Sequence, residues 1–259
     1  MRRIIPPALL ILAIIVLWQG AVMIFSIPKW LLPSPYDIVL ALIGTASIIG
    51  PHMRQTIIET GLGLLASLIF GVGFAVLVDF SEVIKKALYP LLVASQTIPI
   101  IAIAPLLIIW FGYGIMPKII VVALICFFPI TVNMADGLRS ADPDLILLLK
   151  SMGASRFQIF SKIRLPGSLP SFFSGLKVAI TYSVIAAIIG EWVGASKGLG
   201  IFMIRSAHSF FTDRVFAAIL ITSLLSILMF LFVEIIERTS LPWYYASRQE
   251  IIWREVKGR

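Results

Sequence analysis

Six stretches of this chain, about residues 4–27, 56–78, 89–111, 118–135, 171–190 and 215–236, run on in Leu, Ile, Val, Ala and Phe with at most one charge apiece. An apolar run of about 20 residues, coiled at about 1.5 Å per residue, matches the roughly 30 Å hydrocarbon core of a bilayer. Lipid offers no hydrogen bonds, so a backbone crossing it must satisfy its own N–H and C=O groups, and a continuous helix does so within one segment. The runs therefore predict an all-α membrane protein of six transmembrane helices, organised as a single transmembrane domain over residues 1–259. Composition agrees, because only 13% of the residues are charged, against about a quarter in soluble domains. No length remains for a separate soluble catalytic unit.

Six crossings put both termini on one side of the membrane. Assigning that side to the cytoplasm leaves only six of the 21 Lys and Arg residues outside, namely Lys29, Arg54, Lys118, Lys197, Arg205 and Arg214. This is the expected excess of basic residues on the inner face, and it accounts for the net charge of +8 without nucleic acid. The basic start resembles a signal peptide, but Ile4 to Ile27 would reach about 36 Å as a helix, and no A-x-A cleavage site follows. It is read as an anchored first span. Next, Ser34 or Asp37 can cap a helix whose Ile38, Leu42 and Ile49 suit the interface or the flank of the bundle. Beyond Arg238, Trp and Tyr alternate with basic residues, as in an interfacial belt leading into a cytoplasmic tail at about 238–259.

Within the spans, Gly63, Ser67 and Gly71 recur every fourth position and form a small-residue face, read as intrachain helix packing in preference to a dimer seam. Pro99 and Pro105 in the third run remove backbone donors, and two readings stand: a packing kink, or irregular backbone beside a transport path. Cys126 lies alone in an apolar run and reads as a small buried residue. With no CxxC, no Cys/His cluster, and His52 and His208 far apart and read as surface residues, no metal site is expected.

The longest interruption, KSMGASRFQIFSKIRLPGSLP at 150–170, is basic. Ser155 and Gln158 have the S-x-x-Q form of a capping box, so a short helix is expected from Arg156 to about Arg164. It would carry Phe157, Phe160 and Ile163 near one stripe and be stopped by Pro166. Gly153 upstream permits a backbone conformation or a close approach that a side chain would forbid. Two exposed Phe residues need cover, either from the protein's own bundle and the headgroups or from a groove in a cytoplasmic partner.

Gly153, nine intervening residues and then Ile163-Arg164-Leu165-Pro166 resemble the G-x9-I-x-L-P part of the EAA signature of ABC importer permeases, in a loop at about 136–170 between the fourth and fifth spans. The resemblance extends through LLPSP, IPIIAIAPLLIIWFGYG, FFPITVNMADGLRSADPDL, GEWVGASKGLG and TDRVFAAI, which look like the nitrate/sulfonate/taurine branch. GEWVGASKGLG looks most like members handling thiamine-precursor pyrimidines or riboflavin. Leu147, Leu148 and Leu149 stand where the signature opens with Glu-Ala-Ala. The resemblance implies a type I importer permease fold and a multi-pass protein of a prokaryotic cytoplasmic membrane. It further implies a homodimer in membrane lipid, with cytoplasmic ATPase subunits and an external solute-binding protein. Gly153, Ala154, Ser155, Arg156, Phe157, Gln158, Phe160, Ile163, Leu165 and Pro166 would then form the ATPase-coupling segment, with ATP and Mg held by the partner. The chain has no GxxxxGK[ST] loop and binds no cofactor in this reading.

Polar groups inside spans are the candidates for the translocation path: Gln96 with Pro99, Asn133, Thr181, Ser183 and Glu191. Thr181 and Ser183 can instead bond to their own helix backbone. Glu191, opening GEWVG, is read as a gate or substrate group, with simple contact to interfacial water beside Trp192 as the alternative. Glu59 and Asp79 are read as solvated near the ends of the second span. An ion-gradient-driven secondary transporter is the rival reading, but it calls for a buried carboxylate or His relay in the middle of the spans. A membrane enzyme calls for HExxH, GxSxG or the like, and the sequence has neither.

Overall fold

The computed structural model describes residues 5–246. Its helices, in chain order, are α1 (Ile5–Ile24), α2 (Pro35–Gly44), α3 (Ala46–Phe80), α4 (Glu82–Ser95), α5 (Ile100–Phe111) and α6 (Met116–Arg139). They continue as α7 (Pro143–Ser151), α8 (Arg156–Ile159), a π turn (Phe160–Arg164), α9 (Leu165–Trp192), α10 (Leu199–His208) and α11 (Thr212–Ser240). Five helices, α1, α3, α6, α11 and the continuous stretch Arg156–Trp192, are long and apolar enough to cross a membrane. The bent pair Val83–Ser95 and Ile100–Phe111 makes six if it is counted as one crossing. Arg2, Arg3 and residues 247–259 of the expected tail lie outside the described residues.

The break corrects the third expected span. Val83–Ser95 and Ile100–Phe111 meet at 100°, because α4 ends at Gln96 and Pro99, the N-cap of α5, holds an extended backbone. A proline disfavours helical geometry in the residue before it and donates no N–H, so Ile98 cannot carry the helix through. Pro90, Pro105, Pro129 and Pro170 sit inside helices that continue past them.

The centre of the bundle is α3, α6 and α9, packed closely through small residues. A Cβ on Gly63 would fall 2.4 Å from Val122 Cβ on α6, and one on Gly175 would fall 2.5 Å from the Pro129 carbonyl. The small face of α3 is thus used within the chain. Lipid gives helices no hydrophobic reason to associate, so van der Waals contact at this range supplies the attraction. Cys126, Ile130, Ala179 and Ile180 fill the seam. Ile38, Leu42 and Ile49 behave as expected of a bundle flank: Ile38 is buried, and Ile49 and Leu42 pack with Val184, Leu199 and Phe202. Ser34 and Asp37 form a reciprocal capping box at the start of α2, and Lys29 bridges Asp37 and Asp213, tying this connection to the start of α11.

Candidate functional site

The interrupting segment lies at one end of the bundle, here called the loop end. Ser155 caps α8 by accepting from Gln158 N–H, and Gln158 accepts from Ser155 N–H. Gly153 adopts φ +81° with open space around it, so it is the conformation, and not a close approach, that requires glycine. Pro166 does not stop the helix. From Phe160 to Arg164 the coil widens into a π turn, with Leu165 N–H donating to Phe160 O, and then runs on as α9. A proline ring collides with the carbonyl four residues back in an α-helix; a wider turn just before Pro166 accommodates it.

The expected stripe of Phe157, Phe160 and Ile163 is divided. Phe157 is 71% exposed, whereas Phe160 packs beside Phe80 at 5.2 Å between ring centroids and joins a cluster with Met134, Leu138 and Leu165. Asp79 is not a solvated end group: Arg164 Nη1 donates to both its carboxylate oxygens at 2.9 Å. These residues line a cavity of about 250 Å³ with Ile146, Lys150, Arg156 and Ile159. Beside it, Leu147, Leu148 and Met152 are exposed with Phe157. The face presented to solvent is apolar with a basic rim.

At the opposite end, Glu191 is fully buried, which overturns the alternative reading of simple contact with interfacial water. Thr56 Oγ1 donates to Glu191 Oε1 at 2.6 Å, and Gly200 N–H donates to Oε2 at 2.5 Å. Thr56 in turn accepts from Leu199 N–H at 2.9 Å. Gly198, with φ +134°, leaves no room for a Cβ beside the Glu191 carboxyl. His52 is no free surface residue either, since Gly198 N–H donates to its Nδ1 and its ring packs near Phe202. Glu59 is likewise buried, at 1% exposure, accepts from Gln55 Nε2, and lies next to Glu191. With Gln55, Lys118, Lys197 and Arg205 it borders a cavity of about 480 Å³. Lys118, Lys197 and Arg205, all assigned outside, thus gather at this end, and Lys150, Arg156 and Arg164 of the loop at the other.

The remaining path candidates are not brought together. Ser183 and Thr181 donate to Ile180 O and Lys177 O of their own helix, and Asn133 Nδ2 to Pro129 O. Gln96 lies at the α4–α5 break and lines an apolar cavity of about 390 Å³ with Phe74, Leu92, Ile103 and Phe127; Pro99 is exposed beside it. Sequence reading missed Thr56, Glu59 and Asp79 as partners. A signal was present, because Thr56, Glu59 and Thr60 extend the Gly63–Ser67–Gly71 stripe at helical spacing.

The geometry is that of a helical membrane bundle with a bent helix pair and an exposed loop at one end. The family described as Binding-protein-dependent transport system inner membrane component matches residues 63–240, well over half the chain, and the chain belongs to it. It is 42% identical over 238 residues to the Formylaminopyrimidine transport permease protein ThiX of Halalkalibacterium halodurans, covering 92% of this chain and 95% of that one. It is 33% identical over 247 residues to the Putative aliphatic sulfonates transport permease protein SsuC of Bacillus subtilis, covering 94% and 87%. In fold it is similar to the inward-facing MetNI methionine ABC transporter, with a TM-score of 0.67 at 18% identity, over 76% of this chain and 97% of that one. The fold is that of type I ABC importer permeases. The chain is a multi-pass translocation subunit of an ABC importer in the nitrate/sulfonate/taurine branch, and a separate ATPase subunit hydrolyses the ATP.

Proposed function

We propose that two copies of this chain form the path for a small solute of the formylaminopyrimidine type in a prokaryotic cytoplasmic membrane. The loop end faces the cytoplasm, as do both termini, and the whole chain acts as one transmembrane domain. A cytoplasmic ATPase carrying ATP and Mg docks on α7 and α8, and an external solute-binding protein delivers the solute at the opposite end. The relative at 42% identity, aligned over nearly the full length, supports this substrate class.

One observation carries the coupling role. Phe157, Leu147, Leu148 and Met152 stand exposed on a short, capped, rigid projection. Covering one such side chain contributes about 1.5–3 kcal/mol, and Lys150 and Arg156 at the rim favour an acidic partner surface. The leucines replacing Glu-Ala-Ala make this an apolar seat where the signature would offer a carboxylate. Pushed by the ATPase, the segment from Gly153 to Pro166 transmits force straight into α9, because the π turn joins them without a loop.

The test is reconstitution in proteoliposomes with the ATPase and binding protein encoded beside this gene. Uptake of formylaminopyrimidine driven by ATP, lost when a charge replaces Phe157, is the expected result. Uptake of an aliphatic sulfonate alone would move the substrate class, and uptake insensitive to Phe157 would remove the coupling role.

A further inference from the structure

We infer that Asp79 and Arg164 form a force-transmitting joint, through which a displacement of the coupling segment moves α3 together with α9 and so reaches the Gly198–Gly200 turn at the outer end. The inference rests on the coupling role proposed above. Backbone continuity explains how a push on Arg156–Arg164 enters α9. Nothing covalent takes it into α3, which lies 85 residues earlier at the point of contact. Among the described residues, the polar link at that end is the Arg164–Asp79 pair at 2.9 Å, beside apolar contact of Phe160 with Phe80 and of Phe160 and Leu165 with the cluster around Ala75 of α3.

The pair is built to carry load. Asp79 is almost completely buried and Arg164 only partly exposed, so the attraction is less screened than in a surface ion pair. One nitrogen, Nη1, reaches both carboxylate oxygens, a contact about which the guanidinium can pivot without letting go.

At the outer end the same two helices are joined again. Thr56 of α3 donates to Glu191 of α9 at 2.6 Å. These two residues also hold the next turn of the chain, Thr56 accepting from Leu199 N–H and Glu191 from Gly200 N–H. Between the joints α3 cannot slide freely on α6, because Gly63 lies against Val122 and Gly71 against Ile130. Helices fastened at both ends and packed in the middle move as one body. Without the inner joint, α9 would drag the outer turn while α3, which holds its other side, lagged behind.

Broken coupling shows in the ratio of solute taken up to ATP hydrolysed. In the full complex, Asp79→Asn is expected to keep ATPase binding and hydrolysis yet lower that ratio about tenfold, within the usual span of coupling energies, and Arg164→Gln to lower the ratio as well. The exchanged pair, Asp79→Arg with Arg164→Asp, should restore most of it, which a purely structural role for either residue would not predict. A reporter at Ser196→Cys, read with an impermeant thiol reagent, should change reactivity with ATP in the parent chain and stop doing so with Asp79→Asn; the native Cys126 is buried.

An unchanged ratio in Asp79→Asn overturns the joint. So does a parallel fall in uptake and hydrolysis, or an exchanged pair as uncoupled as the single variants. If the parent complex shows no solute-stimulated hydrolysis at all, the coupling role itself falls and takes the joint with it.

Discussion

The two ends of α3 handle charge in opposite ways. At the end opposite the loop, Glu59 and Glu191 are buried, and Glu191 accepts from Thr56 and Gly200. At the loop end, the charges and large apolar side chains around Arg156 and Phe157 are left facing outward, while Arg164 and Asp79 pair inward. A protein stabilises what must keep its shape and leaves unsatisfied what must meet something else. On the function proposed above, the difference separates an end whose carboxylates are buried within the chain from an end whose apolar face is to be covered by the ATPase.

The comparison can be broken at several points. Glu191→Ala orphans two donors and opens a cavity in a close-packed site, so it should cost about 4 kcal/mol, read as a lowered melting temperature of the purified chain in detergent. Phe157→Asp should leave that melting temperature within about 1 °C of the parent, yet weaken ATPase binding about thirtyfold, as measured by titration of the complex in nanodiscs. Should the two variants exchange their effects, the division between a sealed and an open end fails. Gly153→Ala forces an L-residue into φ +81°, for about 1 kcal/mol confined to the loop; transport rate should fall by severalfold with little change in melting.

The smallest effect is one of pH. The Ser34 hydroxyl donates to Asp37 and, with the Ser34 backbone N–H and the Lys29 ammonium, holds that carboxyl below the usual range against the opposing effect of burial. A depressed folded value means its stabilisation is complete above the unfolded value near 3.9 and is lost as pH falls through the folded one. Melting should therefore drop by about 1 °C more in the parent than in Asp37→Asn between pH 5 and pH 3; equal drops would show that the capping box carries no linkage.

The six apolar runs were legible because apolarity adds residue by residue and needs no partner. The capping boxes at Ser34 and Ser155 were legible for a similar reason, their partners lying three residues away. What stayed hidden depends on distant or contextual contacts. Glu191 meets Thr56 across 135 residues and Arg164 meets Asp79 across 85, and nothing local distinguishes such carboxylates from solvated ones. Proline was legible only in part. Pro99 was read as a kink or irregular backbone and the chain does break there, while Pro166 was read as a stop and is carried through by the widened turn before it. The tie-breaker is whether the preceding carbonyls find room, which belongs to the neighbourhood and not to the residue.

That widened turn also fixes an angular phase. It holds about one residue more than an ordinary helical turn would, and each residue of a helix rotates what precedes it by about 100°. Trimming one residue from Phe160–Arg164 would swing Phe157 and Arg156 about a quarter of the way round the axis while leaving the bundle beyond Leu165 in place. The direction in which this protein presents Phe157 and its apolar neighbours is thus set by a count of residues in a single coil, and an insertion or deletion there would misaim that face without unfolding anything.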